Sequence, residues 1–166
     1  MKLQVGVVPG RVGRDDVGDT DAAGDGLVRV GEHATRHAAE QVVGETGVDM
    51  AMFGTMRFWN DVVGQFEASF LAPQRQQLEV VGEDGLLRAL APWRVDWGGA
   101  LLLEVDGAVE EVPVEEASSY RLELENLADA IAGDAPALLG RDDAVAQARA
   151  IDALYRSASE GAAVAV

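Results

Sequence analysis

Between Val48 and Leu90 apolar and polar residues alternate through four successive runs, and that period of two allows a β-sheet and little else. In the first run Val48, Met50, Met52, Gly54, Met56 and Phe58 share one face, while Asp49, Thr55 and Arg57 lie on the other. Trp59-Asn60-Asp61 breaks the pattern as a turn does. Val62, Gly64, Phe66, Ala68 and Phe70 then continue the apolar face, with Gln65, Glu67 and Ser69 opposite. After Pro73, Gln77–Val81 puts Leu78 and Val80 on one side, and Glu83-Asp84-Gly85 reads as a hairpin turn whose glycine supplies φ > 0. Leu86–Leu90 returns. The expectation is an antiparallel meander whose apolar face needs a cover.

The flanks supply further elements. Lys2–Val8 is a weakly alternating first strand, and Pro9–Gly26 is a Gly/Asp-rich loop. Glu32–Gln41 has the composition of a weak helix carrying Ala34, Ala38 and Ala39, and Val42–Gly47 links it to the meander. Leu101–Val105 and Ala108–Val114 form a hairpin about Asp106-Gly107. Two amphipathic helices follow. The first covers about Ala117–Ala132, ended by Gly133; the second is capped by Asp142 or Asp143 and closed by Gly161. Ala162–Val166 adds a last short strand. The fold class is α+β: an open, mainly antiparallel sheet with helices packed on one face.

Charge and composition exclude several functions. The 166 residues suit one domain. Thirteen basic against 29 acidic residues give a formal charge of −16, which opposes nucleic acid and anionic membrane surfaces. Without cysteine there is no thiol chemistry, disulfide or cysteine–zinc site. The sequence contains no apolar run long enough to span a bilayer, and no secretory h-region at its start, so the expected compartment is the cytoplasm.

The chemistry-bearing candidates each face a simpler reading. Asp19, Asp21 and Gly24 fit positions of a calcium loop, but Ala23 and Val30 stand where ligand oxygens belong, so a solvated loop is simpler. Gly24–Arg29 starts like a dinucleotide fingerprint and ends in Arg, and Gly10 and Gly13 give half of another. His33 and His37, four apart on a helix, have metal-binding spacing without an HExxH frame; no metal site is assigned. Glu104, Glu110, Glu111, Glu115 and Glu116 alternate as solvated faces do. Trp93 and Trp97 either cap the core or line a pocket.

Three stretches carry a resemblance. GTMRFWNDVVGQFEASF at 54–70, LEVVGEDGLLR at 78–88 and SSYRLELENLADAIAGDAPALLGRDDAVAQARAIDALYRSASEG at 118–161 resemble the C-terminal domain of the glucose–fructose oxidoreductase / inositol dehydrogenase (Gfo/Idh/MocA) family, nearest its sugar and dihydrodiol dehydrogenase branch. The resemblance divides the chain into a poorly matching segment, 1–40, and an oxidoreductase C-terminal substrate and oligomerisation domain, 41–166, with the N-terminal Rossmann domain absent.

The resemblance implies a glyceraldehyde-3-phosphate dehydrogenase-like C-terminal domain of an NAD(P)-dependent oxidoreductase for a sugar, polyol or related hydroxyl/carbonyl substrate. It implies no cofactor bound by this chain alone, since 23 residues before Gly24 cannot form a βαβ unit. The family's pocket motif aligns with Gly24–His33, where Gly31 and His33 match and Arg29 replaces an aspartate. His33 is therefore the candidate catalytic residue, with Arg29 and His37 as candidate pocket residues. The family's catalytic lysine has no counterpart: Lys2 is the sole lysine and sits in no Glu-Lys-Pro motif. The expected partners are a second copy, through the sheet face, and a Rossmann domain. The expected state is a fragment or truncated product, inactive alone; the alternative is a non-catalytic dimerising module on the same sheet.

Overall fold

A computed structural model describes residues 2–8, 34–58, 62–94, 98–114 and 117–166. Its elements are β1 Lys2–Val8, β2 Ala34–Val43, β3 Asp49–Phe58, β4 Val63–Ser69, β5 Gln76–Val81, β6 Leu86–Leu90, β7 Leu101–Val105, β8 Ala108–Val112, α1 Ser119–Ala132, α2 Arg141–Glu160 and β9 Val164–Ala165. The nine strands form one sheet in the order β8-β7-β6-β5-β1-β4-β3-β2-β9. The architecture is α+β, as the alternation implies.

Two expectations need correction. The meander is not continuous: β1 lies between β4 and β5, antiparallel to the first and parallel to the second. Nor is the stretch around His37 helical. Ala34–Val43 is a strand paired with β3, joined to it by a turn in which the Gly44 N–H bonds the Val48 carbonyl at 2.8 Å. Ala, Glu, Gln and Arg give this stretch helix propensity, but pairing along nearly the whole of β3 outweighs a preference of about 0.7 kcal/mol per residue.

The apolar face forms as the sequence implies, with its densest part at one end. Met52, Met56 and Phe58 of β3 are buried with Leu154 of α2, and Ala39, Val62 and Phe66 pack around them. Gly54 is required here. A Cβ at that position would run into the ring of its cross-strand partner Phe66, which occupies the space above the glycine. Gly85 serves differently from the expectation. Its φ is not positive; instead a Cβ would stand 2.6 Å from the Glu104 carbonyl oxygen of β7, so the need is for close approach.

The helices divide unequally. Ser118 caps α1 and Gly133 ends it in the left-handed conformation, as expected, yet α1 buries none of its residues. At the start of α2 the cap is Gly140, and Asp142 and Asp143 fall in the first turn, where carboxylates face the positive end of the helix dipole. Ala150, Ala153 and Ser157 are the small buried residues that bring α2 close to β2. The Ser157 hydroxyl fixes that contact. Its Oγ accepts from the Ala39 N–H at 3.0 Å and donates to the Ala162 carbonyl at 2.8 Å, tying helix, sheet edge and C-terminal strand together.

His37 lies in the same seam. It pairs with Met56 of β3 on one side and Val164 of β9 on the other, has no exposed surface, and neither ring nitrogen has a hydrogen-bond partner among the described residues. Burial holds its pKa below the usual 6.5, opposed in part by the Arg36 backbone. The neutral ring is the form the fold tolerates, so the unfolded chain binds more protons below pH 6.5. This component of stability is complete above pH 6.5 and is lost as the pH falls below it.

Two outcomes follow from the seam. Ser157→Ala leaves a buried N–H and a carbonyl without their partner and should cost about 1–3 kcal/mol in denaturant unfolding; a change within error would show the bridge to be dispensable. Between about pH 7 and pH 5, the urea midpoint of the wild type should fall more steeply than that of His37→Leu. Parallel pH profiles would mean that the imidazole titrates as it does in the unfolded chain.

Candidate functional site

The face of the sheet away from α2 carries the alternate residues of each strand, and the register gathers its polar groups. One row runs Ala38, Thr55, Gln65, Gly6, Glu79, Arg88, and the next runs Glu40, Phe53, Glu67. Gly6 of β1 stands in register between Gln65 and Glu79. A cleft of 670 Å³ opens here at the β2 edge, lined by Glu40, Phe53, Thr55, Gln65, Glu67 and Glu79 and, from the α2 side, by Ala39, Phe66, Ser157 and Gly161–Ala163.

Two of the carboxylates are held by arginines. Arg75 bonds Glu67 at 2.9 Å, and Arg88 bonds Glu79 at 3.0 Å while lying 3.5 Å from Glu104 of β7. Such pairs add little stability in half-exposed positions, but they fix where the oxygens point. With a side-chain amide, a hydroxyl and a half-exposed phenyl ring beside them, these groups can accept and donate hydrogen bonds to a ligand rich in hydroxyls. Tyr155 of α2 stands outside this set. Burial first, and then the hydrogen bond to Asp49, raise its hydroxyl above the usual range.

A second cleft, of 770 Å³, opens at the other end of the sheet. Leu90, Leu101 and Val112 line it with Arg94, Arg121 and the Gly98-Gly99 pair. Trp93, on the loop leading there, is 42% exposed, so it caps no core.

The residues singled out from sequence do not gather at either cleft. His33 and Arg29, with the Asp-rich and glycine-rich stretches before them, lie outside the described residues. His37 is enclosed beneath α2 and reaches no ligand unless the seam opens. His37 also sits on a strand and not on a helix, so the helical spacing expected around it does not apply. Among the described residues no group of three His, Asp or Glu could hold a metal ion, and no helix is long and apolar enough to cross a membrane. The β1–β5 parallel pair encloses further strands of the same sheet, so no βαβ unit stands among the described elements. Sequence reasoning missed Glu40, Thr55, Gln65 and Glu79 as a set. Their polar alternation was visible, but their adjacency depends on where β1 inserts.

Comparisons with known proteins agree with this architecture. Residues 26–166 match the family model described as the oxidoreductase family, C-terminal alpha/beta domain. The chain is 33% identical over 167 residues to D-xylose 1-dehydrogenase (NADP(+)) 2 of Haloferax volcanii; the match covers 92% of this chain and 51% of that protein. The chain thus spans about half the length of this curated relative. Among solved structures, aldose-aldose oxidoreductase from Caulobacter crescentus in complex with glycerol superposes with a TM-score of 0.73 at 18% identity, covering 82% of this chain and 42% of that one. The WlbA dehydrogenase from Bordetella pertussis, in complex with NADH and UDP-GlcNAcA, gives 0.58 at 14% identity, covering 81% and 39%. The chain belongs to the Gfo/Idh/MocA oxidoreductase family and carries the alpha/beta domain that forms the C-terminal part of its members.

Proposed function

We propose that this chain is the substrate-side half of an NAD(P)-dependent oxidoreductase acting on a sugar, polyol or related hydroxyl/carbonyl compound, and that it turns over only with a nucleotide-binding half. The observation that carries this reading is the extent of the match: one domain of the family, about half of an NADP(+)-dependent xylose dehydrogenase, with no βαβ unit among the described residues. A nicotinamide cofactor accepts or delivers hydride at the substrate carbon, and the protein's task is to hold the two together.

What this chain contributes is recognition. The acceptor oxygens of Glu67 and Glu79, fixed by Arg75 and Arg88, and the Gln65 amide suit several hydroxyls of one ligand, with Phe53 offering an apolar face to a sugar ring. His33 is the residue we assign to the reacting hydroxyl. A second reading, a self-associating module without catalysis, draws on the exposed Phe53 of the same sheet face.

NADPH fluorescence titrated with the chain alone should stay flat; saturable binding would overturn the need for a second half. D-xylose, used as a probe of the pentose class, should raise the melting temperature, because a ligand of the folded state stabilises it. Glu79→Gln and Glu67→Gln should each weaken that shift by roughly tenfold in ligand concentration, the cost of about one charge-assisted hydrogen bond. No shift at saturating pentose would count against this substrate class.

A further inference from the structure

Strand β9 is two residues long and pairs with the outer edge of β2 at Arg36 and His37. Gly161, left-handed at φ 63°, turns the end of α2 into it. The Ser157 hydroxyl clamps both sides of that turn through the Ala39 N–H and the Ala162 carbonyl. On its other edge β2 is paired with β3 along nearly its whole length. Residues 157–165 are thus the lightly held side of the seam. His37 sits against them, fully enclosed, with neither ring nitrogen bonded among the described residues. On the sheet face that His37 shares, β3 presents Met52, Gly54, Met56 and Phe58, and β9 presents Val164. The buried face of α2 adds Ala150, Ala153, Leu154 and Ser157; its one carboxylate, Asp143, is fourteen residues and about 21 Å along the helix from Ser157. Tyr155 is engaged by Asp49, and Arg149, Asp152, Arg156 and Glu160 of α2 are exposed. Arg36, Glu40 and Arg57 alternate onto the opposite face of the sheet. An imidazolium here has no acceptor among the described residues, so His37 takes a proton only when the seam parts.

We propose that His37 is an acid-sensitive latch, whose protonation frees the last turn of α2 and β9 from β2 while the rest of the sheet stays paired. Gly161 is the hinge, and the Ser157–Ala39 bond is the contact that breaks. Ser157 and Gly161–Ala163 also line the cleft at the β2 edge, so acid opens that cleft on this side, whatever it binds. The sign follows from linkage. Burial holds the ring below its usual 6.5 in the closed form, and the open form, with the ring in water, takes up a proton near 6.5. Above pH 6.5 the closed form is fully favoured. Each pH unit below it multiplies the open fraction by roughly ten, until the closed form binds the proton as well.

The test is residue-resolved amide exchange by NMR on the full chain at about pH 7.5 and pH 5.5, each rate divided by that of an unprotected amide at the same pH. The Ala39 amide, which donates to Ser157, should lose roughly tenfold in protection at the lower pH. At both values it should exchange faster than the β3–β4 ladder. Low urea should leave its opening unchanged while speeding exchange in that ladder, because a local opening exposes little surface. His37→Leu and His37→Gln, neither of which titrates, should each make Ala39 protection independent of pH. His33 is kept in both variants, so its own titration cancels. Unchanged wild-type protection between the two pH values overturns the proposal. Ala39 protection that equals that of the β3–β4 ladder and is equally sensitive to urea overturns it too, since the seam would then part only with the whole fold. An acid effect that persists in both variants belongs to another group and is equally fatal. None of these outcomes depends on a nucleotide or a pentose, so the dehydrogenase reading stands or falls separately.

Discussion

The hydroxyl of Ser157 holds together what the rest of the sheet leaves apart. It closes the gap between α2, the outer edge of β2 and the C-terminal strand, and the buried apolar residues of the described chain lie close to that seam: Ala51, Met52, Met56 and Phe58 from β3, with Ala150, Ala153 and Leu154 from α2. Toward β5, β6 and β7 the same face continues with Leu78, Val80, Leu87, Leu101 and Leu103, all of intermediate burial, and neither described helix packs extensively on them. A sheet this wide needs cover along its length, and one helix of about 30 Å cannot supply it. Among the described residues the face is therefore densely packed at one end and sparsely covered at the other.

The strands were legible wherever a turn and a period of two agreed. Asp106-Gly107 is an example: both residues have positive φ, and the strands on either side pair as the dipeptide implies. Legibility failed where a local signal contradicted a distant one. Ala34–Val43 is rich in helix formers, and nothing within it announces that His37, Ala39 and Gln41 face Met56, Gly54 and Met52. The place of β1 was equally hidden. It joins β4 and β5 across intervals of more than fifty residues, and pairings that distant leave no trace in local alternation. The family resemblance, by contrast, rested on stretches beyond residue 54, where the structure and the sequence pattern agree.

The cleft shows why a site is harder to read than a fold. Glu40, Glu67 and Glu79 are unremarkable alone, each being the polar member of an alternating strand. They become neighbours because β2, β3, β4, β1 and β5 are adjacent in that order, with Gly6 in register between Gln65 and Glu79. His37 is the opposite case. A histidine invites a functional reading, but its position on the inner face of β2 gives it a packing role and a penalty for protonation.

These features bear on how this alpha/beta domain holds its shape. Hairpins fix most strand neighbours locally, while β1 reaches its place between β4 and β5 only through long-range pairing. Cover is another matter, because an apolar face is satisfied by whatever apolar surface reaches it. In this chain α2 reaches the sheet through small residues and a serine, whereas α1 displays large side chains to solvent. The acidic surface opposes indiscriminate contact, since any approaching copy meets a charge of −16. Within α1 the single arginine, Arg121, already faces Glu125 one turn on, at 3.8 Å. Apolar exposure and acidic charge thus act in opposition on the same helix: the first favours contact with apolar surface, and the second opposes the approach of any other acidic surface.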